Sequence, residues 1–211
     1  MRARNPLRLP RAGLVLRAGL LAMAAVVVAE AQTAPTTRIR GTIETTDAHA
    51  MTVKTRSGDT VEIALTDPLS VLTVKKVELT SIATGSYVGI ATRTGADGTQ
   101  QAIEVLVFPE AMRGAGVGSY PWDLEPGSTM TNGTVNAAVK ATSATDLTVA
   151  YKDASKTIHV AQGAPIVTFA PAERADVKPG APVFLTATKG ADGKLSTGRM
   201  VVGKDGVAPP M

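Results

Sequence analysis

The sequence predicts an all-β protein made of small closed barrels. Three observations carry this expectation: apolar and polar residues alternate in short runs, turn signals separate the runs, and the second half of the chain repeats the first. Val61, Ile63 and Leu65 alternate with Glu62 and Ala64, and Ile103, Val105 and Val107 alternate with Glu104 and Leu106. In the second half Leu147, Val149 and Tyr151 alternate with Thr148 and Ala150. A period of two in residues rich in Val, Ile and Thr is the pattern of a strand with one buried face. The segments RSGD (56–59), DAS (153–155) and GADG (95–98 and again 190–193) fall between such runs, where hairpin turns are required. Residues 171–176 read as a single helical turn ahead of the tight turn Asp176–Gly180. Five or six strands in about 70 residues favour closure into a barrel, because closure removes unpaired edges.

The duplication sets the domain plan. Gly41-Thr42-Ile43 matches Gly133-Thr134-Val135, MTVKT (51–55) matches LTVAY (147–151), TVEI (60–63) matches TIHV (157–160), and VLTV (71–74) matches IVTF (166–169). The longest match sets GSYVGIATRTGADG (85–98) against GAPVFLTATKGADG (180–193). The offset drifts from 92 to 97 and settles at 95, so length changes fall in loops. Self-similarity at a fixed spacing marks a repeated structural unit. The expected boundaries are 32–108 for a first barrel module, 109–130 for a central Pro/Gly-rich segment, 131–203 for a second module and 204–211 for a tail.

The N-terminus reads as a targeting segment. Met1 to Arg17 carries five arginines and no acid, an apolar run of 12 residues follows over 18–29, and Ala29-Glu30-Ala31 places small residues where a signal peptidase reads them. The run is short of the roughly 20 residues that span a bilayer as a helix. A signal peptide over 1–31 is therefore expected, with a mature chain starting near Gln32 that is periplasmic or secreted. No other stretch is apolar enough to span as a helix.

Removing that segment changes the charge. The chain has 22 basic and 18 acidic residues; taking away five basic residues and Glu30 leaves 17 of each. A neutral chain with 3% aromatic residues lacks the positive groove and stacking platforms that nucleic-acid binding uses. With no cysteine there is neither a disulfide framework nor a thiolate metal site.

The order of segments, a G-T-[IV] strand, a T-V hairpin, an apolar pair, then K-P-G-x-x-V and G-A-D-G, resembles tandem OB-like β-barrel modules of an uncharacterised class of bacterial exported proteins. The resemblance extends over both repeats, and residues 112–135 look like the middle segment of one two-module group. It implies two tandem small OB-like barrels joined by an ordered irregular segment, and it brings no established activity. A metal-transport permease label attached to some relatives conflicts with the lack of spanning segments.

Signatures of catalysis are absent: there is no G-x-S-x-G, no H-E-x-x-H and no EF-hand loop. GADGKL (190–195) lacks the first glycine and the final hydroxyl of a phosphate loop, and GAGVG (114–118) is followed by Ser119-Tyr120-Pro121 instead of a helix. His159 lies between Ile158 and Val160, so alternation points it to solvent. His49 and Met51 form an H-x-M pair whose imidazole and thioether suit Cu(I) if both share a strand face; Met51 also aligns with Leu147, which makes it a core residue on the competing reading. Asn132-Gly133-Thr134 fits a glycosylation sequon but reads as the start of a strand.

The central segment holds the only tryptophan, Trp122, together with Val117, Tyr120, Leu124 and Met130. Irregular segments of such length are functional or disordered, but disorder lacks large apolar anchors, and an exposed linker has no use for that set. Trp122 and Tyr120 are expected to pack on one barrel or between both. Arg113, Tyr120, Trp122 and Asp123 are the candidate ligand or partner surface at the junction, where pockets tend to form. The resulting expectation is an exported, non-enzymatic binding or structural protein of the bacterial cell envelope, without a cofactor. Its partner is an unknown envelope protein or small ligand; the alternative is a periplasmic accessory for metal or solute uptake.

Overall fold

A computed structural model describes residues 34–140 and 144–209; the expected signal peptide over 1–31 lies outside them. Strands β1 (Thr36–Thr46), β2 (Ala50–Thr55) and β3 (Thr60–Lys76) form an antiparallel meander. β4 (Tyr87–Thr94) and β5 (Gln100–Val107) form a hairpin, followed by β6 (Gly118–Pro121) and by the meander β7 (Thr129–Lys140), β8 (Ala144–Tyr151) and β9 (Ala154–Ala161). β10 (Ile166–Pro171) precedes the closing hairpin of β11 (Pro182–Lys189) and β12 (Leu195–Val202). Short 3-10 turns occupy Leu79–Ser81, Glu110–Met112 and Arg174–Asp176. The two GADG hairpins turn through Gly98 and Gly193, at φ of 83° and 81°, a conformation open to glycine at little cost. The aspartate of each turn accepts a backbone N–H two residues on, from Thr99 and Lys194.

The fold is all-β, as the alternation predicts. β12–β11–β1–β2–β3 closes into a five-stranded barrel, because β12 returns parallel to β3. β5–β4–β7–β8–β9 forms a second ring, whose ends meet at one register pair, Gln101 with His159. β10 joins the two, antiparallel to the end of β3 and parallel to β5.

This pairing departs from the expected plan of one barrel over 32–108 and another over 131–203. The barrel takes three strands from the first half of the chain and β11 and β12 from the second, and the second ring takes β4 and β5 from the first half. All strands belong to one continuous sheet. The connections supply the physical reason. After β3, Val77, Leu79 and Ile82 enter the core of the second ring; after β10, Ala172 and Val177 enter the core of the barrel. A closed repeat and an exchanged one bury the same side chains in equivalent surroundings, so strand alternation does not distinguish them.

Each ring has its own core. Ile43, Met51, Val53, Ile63, Leu185 and Met200 fill the barrel, and Ile90, Val105, Val135, Leu147, Val149 and Ile158 fill the second ring. A third cluster lies between them, with Val74, Leu106, Val167, Phe184 and Val201 buried and Phe108, Trp122 and Phe169 packed against it. That cluster covers the outer face of β5. The simple alternation expected there fails, since Leu106 and Glu104 are 1% and 3% exposed along with Val105.

Candidate functional site

The central segment is better ordered than its sequence suggests. It contains a strand, β6, antiparallel to β7, with Ser119 opposite Thr131 and Tyr120 opposite Met130. Ser119 Oγ stands 3.0 Å from Thr131 Oγ1 and accepts a hydrogen bond from Lys156 Nζ at 3.0 Å, which ties β6 to β9. Burial holds the Lys156 amine below its ordinary range. Past Pro121 the chain turns back on itself: Trp122 N–H donates to Ser128 O at 2.8 Å, and Ser128 Oγ donates to the carbonyls of Trp122 and Glu125. This closed loop fixes the indole.

The indole reaches across to β1 and β11. The Arg38 guanidinium lies 4.0 Å from the ring centroid and that of Arg40 lies 5.5 Å away, with Phe184 at 6.5 Å and Tyr120 at 6.1 Å. Two guanidinium groups on one indole make a cation–π contact of the stronger, partly desolvated kind. Asp123 completes the group, 3.0 Å from Arg40 Nη2 and 3.5 Å from Arg38 Nη1. Burial pushes the Asp123 carboxyl up, but Arg40 and Arg38 outweigh it and leave the group below the usual carboxylate range. Arg40 and Asp123 form an ion pair, and Arg40 Nε, Trp122 Nε1 and Asn132 Oδ1 are buried without a hydrogen-bond partner.

Of the seven aromatic residues in the chain, six gather at this junction. Tyr87, Phe108 and Phe169 form one run, with ring centroids 5.3 and 6.0 Å apart, and Tyr120, Trp122 and Phe184 form the other. Asn132 links the runs: its Nδ2 donates to Ala115 O and to Tyr120 Oη, both at 3.2 Å, and Tyr87 Oη donates to the same carbonyl at 3.0 Å. Burial raises the phenols of Tyr87 and Tyr120. An open cleft of about 250 Å³ runs beside them, lined by Leu72, Phe108, Phe169, Phe184, Asn132 and Arg199 with their neighbours. A larger cleft of about 620 Å³, at Lys76, Leu79, Pro165 and Ala208, contains none of the aromatic residues.

Of the four expected junction residues, Tyr120, Trp122 and Asp123 come together. Arg113 stands apart, paired with Glu110 at 2.7 Å, donating to Gly85 O and lying 5.9 Å from the Tyr87 ring. The residues that sequence reasoning missed are Arg38, Arg40, Asn132, Phe184 and Glu104. Arg38 and Arg40 flank Ile39, an i, i+2 arrangement that places both on one strand face. That spacing was the available signal.

His49 and Met51 do not form a metal pair. His49 sits in the turn before β2, so strand alternation does not reach it, and it stays exposed while Met51 is 1% exposed inside the barrel core. Among the described residues no three His, Asp or Glu side chains converge as a metal site. His159 is half exposed, with Nδ1 2.8 Å from Asp146. Asn132 is buried within β7. Among the described residues no helix is long and apolar enough to cross a membrane. Comparison with protein-family models, with curated proteins and with solved structures gave no match.

Proposed function

We propose that this chain is an exported, non-enzymatic binding protein of the bacterial cell envelope whose recognition surface is the Trp122 junction. The observation that carries the proposal is the concentration of six of seven aromatic residues at the junction, where Phe108, Phe169 and Phe184 line an open cleft and Trp122, which packs on Phe184, is held among Arg38, Arg40 and Asp123. Aromatic and arginine side chains held rigidly beside a concave surface are what binding sites use, because they bring large contact area at little entropic cost. Trp122 also holds the two rings together, and the two roles are compatible. The repeat reading draws support from the pairing: Arg40 lies opposite Phe184 and Asn132 opposite Gly89, and in the sequence alignment these are the same repeat positions. Uptake of a metal loses its one support, since Met51 is a core residue.

The test compares partners captured from envelope extract by the mature protein, by Trp122→Ala and by Val139→Ser, a change of an exposed residue on β7 away from the junction. A partner retained by Val139→Ser and lost by Trp122→Ala is the expected result, with thermal melts showing that both variants remain folded. Identical partner sets for all three proteins would refute the junction surface. Export is checked separately by N-terminal sequencing of the protein recovered from the cell envelope, with Gln32 as the expected first residue.

A further inference from the structure

The cleft has a counterpart across the repeat. Carrying each lining residue to its aligned position gives Arg40 for Asn132, Glu104 for Arg199, Gly89 for Phe184 and Leu106 for Val201. At those positions the space is filled by the protein itself: Arg40 and Glu104 are 9% and 3% exposed, and Val207 packs on the cluster between the rings. The Arg40 guanidinium attracts the Glu104 carboxylate. The filled side therefore holds an apolar stem ending in a cation whose ion-pair partner is Asp123, with the buried acid Glu104 in its field.

On the open side the cation stands at the other of the two positions. Asn132 is too short to occupy the space that Arg40 takes; its Nδ2 donates to Ala115 O and Tyr120 Oη, and its buried Oδ1 has no hydrogen-bond partner. Arg199 stands where Glu104 does, is exposed, and has no acidic group within ion-pair distance among the described residues. What remains is an apolar wall of Leu72, Phe108, Phe169 and Phe184 with one cation on its rim.

We propose that this cleft binds a short aliphatic carboxylate, its chain against the three phenylalanines and its carboxylate on Arg199. The proposal rests on the reading of the junction as a binding site and names the ligand class. The size agrees. A space of about 250 Å³ holds about eight groups at roughly 30 Å³ each, near the heavy-atom count of hexanoate, and it falls below the roughly 300 Å³ at which clefts for drug-sized ligands begin. A guanidinium binds a carboxylate bidentately, so an alcohol or an amine of the same length lacks the decisive contact.

The experiment titrates hexanoate, hexanol and hexylammonium into the 32–211 chain and follows methyl and aromatic NMR shifts. Hexanoate is expected to bind about tenfold more tightly than hexanol, shifting signals of Leu72 and the phenylalanines, while hexylammonium does not bind there. Arg199→Gln should bring hexanoate down to the affinity of hexanol, and Thr186→Trp, a change at an exposed lining residue, should block both. Equal affinity for hexanoate and hexanol, or hexanoate binding unchanged in Arg199→Gln, overturns the proposal. If hexanoate fails while Trp122-dependent capture of an envelope partner persists, the ligand class is wrong and the junction surface stands. If both fail, the binding reading itself falls.

Discussion

Replacing Glu104 by glutamine should stabilise the protein at pH 8 and leave it nearly unchanged at pH 4. Glu104 is 3% exposed on the covered face of β5, and burial pushes its carboxyl up to about 8 from an ordinary 4.5. Arg40 and Arg56 attract the ionised form, yet desolvation outweighs both. A raised acid pKa in the folded state means that the folded chain keeps a proton the unfolded chain has already lost. Below about pH 4.5 both states are protonated and nothing is lost. Between about 4.5 and 8 stability falls by about 1.4 kcal/mol per pH unit, and above about 8 the fall is complete. The full loss is on the order of 5 kcal/mol, large against a typical folding free energy of roughly 5–15 kcal/mol.

Glutamine keeps the shape of the protonated acid and cannot ionise. The difference in unfolding free energy between Glu104→Gln and the parent should therefore grow in favour of the variant as pH rises, while every other titrating group cancels. Urea melts at pH 5, 6.5 and 8 measure that difference. Parallel stability curves would mean that Glu104 reaches solvent or a stronger cationic partner than Arg40 and Arg56 provide. A difference of opposite sign would mean that the ionised carboxylate is the form the fold prefers.

Much of the strand-level structure was legible in the residues. Val61, Ile63 and Leu65 turn inward as alternation requires, Met51 takes the core place that its alignment with Leu147 assigns, and both GADG segments turn where they should. Legibility failed where a strand is buried on both faces. The acid Glu104 and the apolar Leu106 share the outer face of β5, and period-two reading has no rule for a face covered by a neighbouring ring. It also failed at His49, where alternation was carried past the end of β2 into a turn.

The exchange of strands was invisible for a different reason. Val77, Leu79 and Ile82 look like the anchors of a repeat closing on itself, and they anchor the other ring. Nothing in local sequence records which of two equivalent cores a connection enters; that depends on the path and length of the connection. The central segment was half legible. Its aromatic residues announced packing, but the partners of Trp122 lie about 80 residues away on β1, and only their i, i+2 spacing marked Arg38 and Arg40 as a pair.

Alanine at Gly41 or Gly133 should cost at least about 3 kcal/mol of stability, among the largest effects of any single methyl group in this chain. At Gly133 an added Cβ falls 2.2 Å from the carbonyl oxygen of Ala150 and 2.8 Å from Val149 Cγ1; at Gly41 it falls 2.0 Å from Lys54 O and 2.8 Å from Val53 Cγ1. Neither obstacle is a flexible side-chain tip. The nearer one in each case is the backbone of the adjacent strand, held by the register of β7 with β8 or of β1 with β2, so relief requires the strands to part. Gly85→Ala is the control, because its Cβ meets nothing and only its φ of 92° opposes the change, for about 1 kcal/mol. Thermal and urea melts of the three variants rank the costs, and a Gly133→Ala cost no greater than that of Gly85→Ala would mean that β7 and β8 do not approach as described. The shape of the melt decides a second matter. Because the barrel borrows β11 and β12 while the second ring borrows β4 and β5, a lesion at Gly41 and one at Gly133 should each lower a single shared transition. Separate barrels over 32–108 and 131–203 would instead melt independently, with each alanine shifting one of two steps and leaving the other in place.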